Sequence, residues 1–178
     1  MLEPRRIATK AICARMSDML EEEQGQTVGY RIRFESRISR NTRLEVVTEG
    51  ILTRMLQNDN ALDEVGLVIF DEFHERNLHA DLALALCREA QQILRPDLKI
   101  LVMSATLNLP QLQQLLNAPI VVSEGKMFPV DIRYTGDADP FLLPELTARV
   151  VVKALQENIG DVLVFLPGEG EIKKCADI

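Results

Sequence analysis

Two adjacent carboxylates, Asp71 and Glu72, directly follow an apolar run at residues 67–70. Four apolar residues between polar neighbours are typical of a strand buried on both faces, as the central strands of parallel sheets are. Ligands of open α/β sheets bind outside the carboxyl ends of such strands. Two unpaired carboxylates are costly to bury, whereas one that binds Mg²⁺ and one that polarises a water molecule make chemical sense. The sequence therefore predicts a nucleotide-hydrolysis centre at Asp71 and Glu72.

The histidines that follow these acids offer an alternative, a zinc site. In the familiar zinc-binding helix the two histidines stand four positions apart and share one face. His74 and His79 are five positions apart, so this interpretation is disfavoured. A structural alternative is that acids at a helix N-terminus offset the helix dipole. The nucleotide interpretation is favoured because Asp71 and Glu72 end an apolar strand instead of following a turn.

A second polar cluster, Ser104-Ala105-Thr106, follows the apolar residues 99–103. If both apolar runs are parallel strands, their carboxyl ends meet at one edge of the sheet. The hydroxyls of Ser104 and Thr106 would then lie near Asp71 and link a hydrolysis site to a substrate site. A turn whose hydroxyls satisfy local backbone groups explains the same residues equally well.

The composition is that of an ordinary globular chain, with 47% hydrophobic and 26% charged residues among 178. No run approaches the ~20 apolar residues of a membrane span, and the first residues lack the apolar core of a secretion signal. We therefore expect a cytoplasmic protein with no membrane partner. Cys13, Cys87 and Cys175 are widely spaced and odd in number, which argues against disulfides and predicts buried thiols.

The net charge of -7 hides an uneven distribution. Residues 1–43 hold nine Lys or Arg against six Asp or Glu, and five of the nine are arginines between residues 31 and 43. Such a stretch fits contacts with the phosphates of a nucleic acid and fits a solvated strand face as well. Charge alone leaves both interpretations open.

Apolar periodicity predicts alternating helices and strands along the chain. We expect helices over residues 6–20, 51–56, 81–94, 112–116 (capped by Asn108) and 145–157, and strands over residues 27–33, 44–47, 67–70, 99–103, 120–122 and 162–166. Residues 37–42 are expected to form a polar connection. The alternation is typical of an α/β fold with a mostly parallel sheet and helices on both faces.

The sequence also predicts two domains. Glycine, aspartate and proline cluster in residues 125–144, which indicates an inter-domain connection, and the strand expected at 162–166 opens a second α/β domain. Nucleotide hydrolysis on such a sheet needs the phosphate-binding loop GxxxxGK[ST], and no such motif occurs in the 178 residues. Together with the helical start, this leads us to expect a chain cut just downstream of that loop.

Five ordered motifs make the chain similar to the DEAH/RHA helicases of superfamily 2. Asp71-Glu72-Phe73-His74 with Glu75-Arg76 resembles motif II, and Ser104-Ala105-Thr106 resembles motif III. Residues 3–8 look like motif Ia, residues 47–52 like motif Ib, and residues 163–172 like motif IV. Phe73 in place of the alanine of motif II, together with residues 44–54 and 125–130, makes the chain similar to the bacterial HrpB-type helicases in particular.

This resemblance implies a RecA-like fold of the P-loop NTPase type and an ATP-dependent helicase or translocase acting on a single nucleic-acid strand. RNA is expected rather than DNA, and ATP and Mg²⁺ are the implied cofactors. Residues 1–124 would be the C-terminal part of the first RecA-like domain, residues 125–144 the connection, and residues 145–178 the start of the second domain.

The resemblance also carries roles over to single residues. Asp71 would coordinate Mg²⁺ through water, and Glu72 would activate the attacking water. His74 would complete the catalytic set and, with Ser104 and Thr106, would couple the site to the strand. Ser104 and Thr106 would also join Asp71 and Glu72 in binding the cofactor. The residues expected at the nucleic-acid backbone are Arg5, Arg6, Thr48 and Gly50.

Motif I and motifs V and VI of this family, the last two with their arginine fingers, do not occur in the chain. Because a finger alone is worth a factor of ~10³ or more in rate, we expect the isolated chain to hydrolyse ATP barely or not at all. The main alternative is a non-catalytic remnant of a helicase domain that binds RNA or protein, and a metal-dependent nuclease built on Asp71, Glu72 and His74 is a weaker one. Strand edges that a missing strand would cover also predict self-association.

Overall fold

The computed structural model describes residues 1–105, 109–123, 125, 128–137 and 139–178, without the side chains of residues 109–111. It divides into two compact units, Met1–Val122 and Ser123–Ile178. The first unit contains, in chain order, α1 (Arg6–Met19), β1 (Val28–Ile32), β2 (Glu35–Arg37), β3 (Leu44–Val47), α2 (Glu49–Asn58), β4 (Leu67–Phe70), a 3₁₀ turn (Phe73–Glu75), α3 (Leu78–Ile93), β5 (Lys99–Val102) and α4 (Leu109–Leu116). The second unit contains α5 (Leu143–Glu157) and α6 (Glu169–Ala176).

The sheet of the first unit is parallel except at one edge. β1 pairs with β3 in parallel and with β2 in an antiparallel hairpin, and β4 pairs with β5 in parallel. Residues 1–3 join the two halves, because Leu2 forms parallel bridges to both Val47 and Phe70. The strand order is therefore β2-β1-β3, then residues 1–3, then β4-β5. The predicted α/β class with a mostly parallel sheet is confirmed.

Helices cover both faces of this sheet. Neighbouring residues of a strand point to opposite faces, and Val46 and Val47 of β3 accordingly belong to different buried clusters. Val46 packs in the cluster that contains Cys13 of α1. Val47 packs in the larger cluster, whose other members include Leu52 of α2, Leu84 of α3, and Phe70. The prediction of helices on both faces is confirmed.

The amino end of the chain lies inside the sheet, where the Met1 amine donates a hydrogen bond to the Glu45 carbonyl oxygen at 2.7 Å. Burial lowers the pKa of this amine to about 6, although the nearby Glu45 carboxylate raises it. A cavity of about 550 Å³ is lined by Met1 and by the first residues of β3 and β4. Backbone along these two strands therefore has room for a further pairing partner.

Three sequence predictions of local structure are wrong. Arg37 ends strand β2, so the hairpin occupies part of the expected polar connection. Residues 120–122 and 162–166 form no strand, and Phe165 is 86% exposed. An apolar run becomes a strand only when another strand pairs with it, and among the described residues no strand pairs with either run. The cap expected at Asn108 lies outside the described residues.

Two further predictions hold in part. Val68 and Phe70 of β4 are buried, but Leu67 is exposed, so the strand is fully buried on one face only. Cys13 and Cys87 are buried free thiols, whereas Cys175 is half-buried. Among the described residues, no helix is long and apolar enough to cross a membrane.

Candidate active site

The carboxyl edge of the sheet collects most of the predicted site residues. Parallel strands end on the same side, so the residues that follow them are neighbours in space. Thr48 follows β3, Arg5 follows residues 1–3, Asp71 follows β4, and Ser104 follows β5 after one residue. Candidate nucleic-acid contacts and candidate hydrolysis groups therefore share one edge. Thr106 lies outside the described residues.

Asp71 and Glu72 are held by backbone bonds at the end of β4. The Asp71 N–H donates to the Leu2 carbonyl oxygen at 3.1 Å, and the Asp71 carboxylate accepts the Glu72 N–H at 2.9 Å. Glu72 has left-handed backbone angles, with φ 49° and ψ 35°. This conformation costs a non-glycine residue about 1–2 kcal/mol. It turns the chain sharply out of the strand, and the Glu72 side chain remains 47% exposed.

His74 lies beside the Glu72 carboxylate. Its Nδ1 atom is 3.2 Å from Oε2 of Glu72, but the two groups are not aligned for a hydrogen bond. Within the described residues, His74 Nδ1 and Ser104 Oγ are both buried polar atoms without a hydrogen-bond partner. Such atoms are costly unless another group satisfies them. Their position at the carboxyl edge fits a site that takes up water or phosphate oxygens.

The 3₁₀ turn that carries His74 is anchored at both ends. Phe73 is buried in the core, and its N–H donates to the Met103 carbonyl oxygen at 3.1 Å. Arg76, which follows the turn, is also left-handed at φ 47° and pairs with Asp81 at 3.0 Å. Two strained residues, Glu72 and Arg76, therefore bracket the turn, and conformations of this kind cluster at functional sites.

Arg5 and Arg6 stand at the N-terminus of α1. Arg5 is the N-cap residue and Arg6 the first helical residue, with no acid in the first turn and no side-chain cap. Both side chains are exposed. The unpaired N–H groups and dipole of a helix N-terminus favour anions, and two guanidinium groups strengthen that preference. The arrangement is suited to binding a phosphate.

Thr48 and Gly50 lie at the N-terminus of α2, at the same edge of the sheet as the start of α1. Thr48 is the N-cap residue, and its side chain makes no cap hydrogen bond. Gly50 is exposed, and a Cβ atom added there would meet nothing within 4 Å. Residues 1–3 and β3 are neighbours, so both helices start at the same edge of the sheet, although α1 and α2 pack on opposite faces. Each start offers N–H groups that favour an anionic backbone at this edge.

Two buried acids at this edge, Glu3 and Glu49, were not among the predicted site residues. They are 3% and 7% exposed. Burial raises the pKa of Glu3, and the carboxylates of Asp71, Glu72 and Glu75 raise it further. Burial also raises the pKa of Glu49, with an opposing effect of His79. Glu3 directly follows the apolar Met1 and Leu2, as Asp71 follows β4, and Glu49 follows β3 after Thr48. An acid within two residues of an apolar strand segment is the signal that could have identified them.

Residues 1–115 match the family model described as DEAD/DEAH box helicase. The chain belongs to the DEAD/DEAH box helicase family. The predicted family and the RecA-like fold are thereby confirmed, since this family match agrees with the structural neighbours described next.

Among its relatives, this DEAD/DEAH box helicase chain is similar to the ATP-dependent RNA helicase HrpB of Escherichia coli K12, with 52% identity over 178 residues that cover 99% of this chain and 22% of HrpB. An HrpA homologue of Haemophilus influenzae is 38% identical over 178 residues, covering 98% of this chain and 14% of the relative. A crystal structure of the Escherichia coli DEAH/RHA helicase HrpB matches with a TM-score of 0.91 and 51% identity, over 99% of this chain and 23% of that one. The chain thus spans less than a quarter of each of these relatives.

The carboxylates of this DEAD/DEAH box helicase chain fit one mode of magnesium binding. Among the described residues, no three or more His, Cys, Asp or Glu are arranged to hold a metal ion by themselves. Mg²⁺ in nucleotide sites instead uses one or two carboxylates, with waters and phosphate oxygens completing its shell. Asp71 fits this role, because its side chain accepts one backbone N–H and retains acceptor capacity.

Proposed function

We propose that these 178 residues supply the water-activating centre and part of the nucleic-acid path of an ATP-dependent RNA helicase. The observation that carries the proposal is the shared carboxyl edge, where Asp71 and Glu72 stand beside Arg5 and Thr48. A helicase needs nucleotide hydrolysis and strand contact to be linked, and this arrangement supports such a link. The names of HrpB and HrpA agree with ATP and RNA as ligands.

In this proposal each polar side chain of the 3₁₀ turn region has one task. Asp71 would hold Mg²⁺ through water, and the ion would supply positive charge to the phosphates. Glu72 accepts a proton from the attacking water, and His74, 3.2 Å from that carboxylate, couples the site to the strand. Ser104 and Thr106 connect the nucleotide to the strand.

Arg5, Arg6, Thr48 and Gly50 contact the phosphate backbone of the single strand. The two helix N-termini and the two guanidinium groups support this assignment, because all of them favour anions. Exposure of Gly50 is also consistent with close approach of a ligand backbone.

The domain assignment follows the same proposal. Residues 1–124 belong to the first RecA-like domain, residues 125–144 connect, and residues 145–178 begin the second. Cytoplasmic location remains a prediction. Self-association also remains a prediction, and we propose that it originates at the strand edges around the Met1 cavity. A single monomeric mass in light scattering at every concentration would contradict it.

The function is tested by exchanging the matching stretch of Escherichia coli HrpB for these 178 residues and measuring phosphate release with malachite green. We expect the exchanged protein to hydrolyse ATP and to be stimulated by single-stranded RNA. The 178-residue chain alone should show almost no hydrolysis, because it contains no GxxxxGK[ST] motif. Ordinary RNA-stimulated turnover by the chain alone would contradict this.

A second candidate is a remnant of a helicase domain that binds RNA or protein without catalysis. This candidate predicts that the exchanged HrpB folds and binds RNA but does not hydrolyse ATP. Retained, RNA-stimulated hydrolysis would show that the centre in these residues has not degenerated and would count against this candidate.

A further inference from the structure

Arg5 and Glu75 form an ion pair of 2.7 Å across 70 positions of sequence. Arg5 stands at the start of α1, where it is a candidate phosphate contact. Glu75 ends the 3₁₀ turn that directly follows Asp71 and Glu72. The pair therefore joins the candidate nucleic-acid surface to the candidate hydrolysis turn.

The surroundings of Glu75 favour keeping this pair closed. The Glu75 carboxylate lies near two buried acids, Glu3 and Glu49, and raises the pKa of both. A cation beside Glu75 is favoured by these neighbouring acids. Because the Arg5 and Glu75 side chains are 71% and 33% exposed, the pair contributes only modestly to stability.

Arg5 can hold Glu75 and a phosphate at the same time. Its side chain is 71% exposed, and within the described residues only one guanidinium nitrogen makes a hydrogen bond. A guanidinium carries five N–H donors in a rigid plane, so the remaining donors can bind a phosphate oxygen while Glu75 is kept.

The turn attached to Glu75 is a strained element. Glu72 and Arg76 bracket it with φ values of 49° and 47°. Its internal hydrogen bonds run from the Glu75 N–H to the Glu72 carbonyl oxygen at 2.9 Å and from the Arg76 N–H to the Phe73 carbonyl oxygen at 3.3 Å. Strained backbone persists only where its surroundings hold it, so a contact at Glu75 affects the stability of the whole turn.

We propose that Glu75 is a positioning residue, which holds Arg5 so that a phosphate bound by Arg5 stabilises the 3₁₀ turn carrying Glu72. The inference rests on the proposed function, because Arg5 must contact RNA. Glu75 transmits occupancy of the nucleic-acid surface to the hydrolysis turn without touching either ligand.

Amide hydrogen exchange at Glu75 and Arg76 tests this in the 178-residue chain, with and without a single-stranded oligouridine. In the wild type, RNA should slow exchange at these two amides by about two- to fivefold, the range that an exposed ion pair contributes. Glu75→Gln should still bind the oligouridine in fluorescence anisotropy but should lose this slowing. Arg5→Gln should lose the slowing and weaken binding several-fold.

Glu64→Gln is the matched control, since Glu64 is exposed and precedes β4 whereas Glu75 follows it. It removes the same charge and should keep both binding and slowing. Glu75→Asp keeps a carboxylate and should therefore show part of the RNA-induced slowing that Glu75→Gln loses. An unfolded protein would show no such slowing. Circular-dichroism melting of each variant separates unfolding from loss of transmission.

The outcomes distinguish the two claims. If RNA binds and Glu75→Gln keeps the full slowing of exchange, Glu75 does not position Arg5. The proposed contact of Arg5 with RNA would still stand. If the wild type binds no RNA at all, the proposed contact of Arg5 is wrong and the inference falls with it.

Discussion

The ring of Phe73 stands edge-on against Phe70, with centroids 6.2 Å apart and planes at 82°. Phe70 is the last residue of β4, and Phe73 opens the 3₁₀ turn. The pair ties the turn to the buried cluster between the sheet and helices α2 and α3. Asp71 and Glu72 lie between the two rings in sequence, so core packing holds both ends of the candidate catalytic dipeptide.

Phe73→Ala should therefore destabilise the first unit. Removing a buried phenylalanine leaves a cavity and typically costs about 3–5 kcal/mol. The edge-to-face contact with Phe70 would also be lost. So would the cation–π contact of the Arg76 guanidinium, which lies 5.8 Å from the centre of the Phe73 ring. Urea unfolding measures the change. Phe34→Ala is the control, because Phe34 is exposed and should change stability by less than about 1 kcal/mol.

Gly50→Ala should separate stability from RNA binding. Gly50 is the second residue of α2, where alanine has space and a higher helix propensity, so stability should rise by up to about 1 kcal/mol. A ligand backbone that approaches Gly50 would meet the new methyl group, and affinity for oligouridine should fall.

Gly170→Ala is the matched control: Gly170 is likewise the second residue of its helix, α6, with open space. It should leave RNA affinity unchanged. Equal affinity of the Gly50→Ala protein would remove Gly50 from the proposed path.

Glu3→Gln should stabilise the chain at neutral pH. The pKa of Glu3 is raised above its ordinary value, chiefly by burial, so the folded chain holds this proton more tightly than the unfolded chain does. The stability that this group contributes is complete below the ordinary pKa and is lost as pH rises through the folded pKa. Glutamine stays neutral throughout, so its advantage in thermal melting should appear at pH 7 and vanish near pH 4.

Glu64→Gln, at an exposed site, should show no such pH-dependent gain. An equal melting temperature of wild type and Glu3→Gln at pH 7 would contradict the burial of a titrating carboxyl.

The sequence was most informative where a short apolar run ends sharply. β4 and its two acids are recognisable because four apolar residues give way at once to charged ones, and their burial pattern confirms the strand. The same reasoning failed at residues 162–166, because hydrophobicity does not reveal whether another strand is present to pair with them. Strand formation depends on that neighbour.

Features that depend on the folded arrangement were beyond sequence reasoning. The left-handed backbone of Glu72 and Arg76 has no local signal, since neither residue is glycine or asparagine. The Arg5 and Glu75 pair forms because residues 1–3 lie beside β4, which no local pattern encodes. Glu3 and Glu49 show an acid within two residues of a strand segment, but their burial follows from packing.

The central claim is that Glu72 activates the water that attacks the nucleotide. Its most direct test is single-turnover ATP hydrolysis by the HrpB exchange protein carrying Glu72→Gln, with Glu64→Gln as control. A general base contributes about 10²–10⁴-fold, so Glu72→Gln should slow hydrolysis by at least 100-fold while ATP affinity changes little. Glu64→Gln should leave the rate unchanged. Hydrolysis by the Glu72→Gln protein at the rate of its parent would contradict the account.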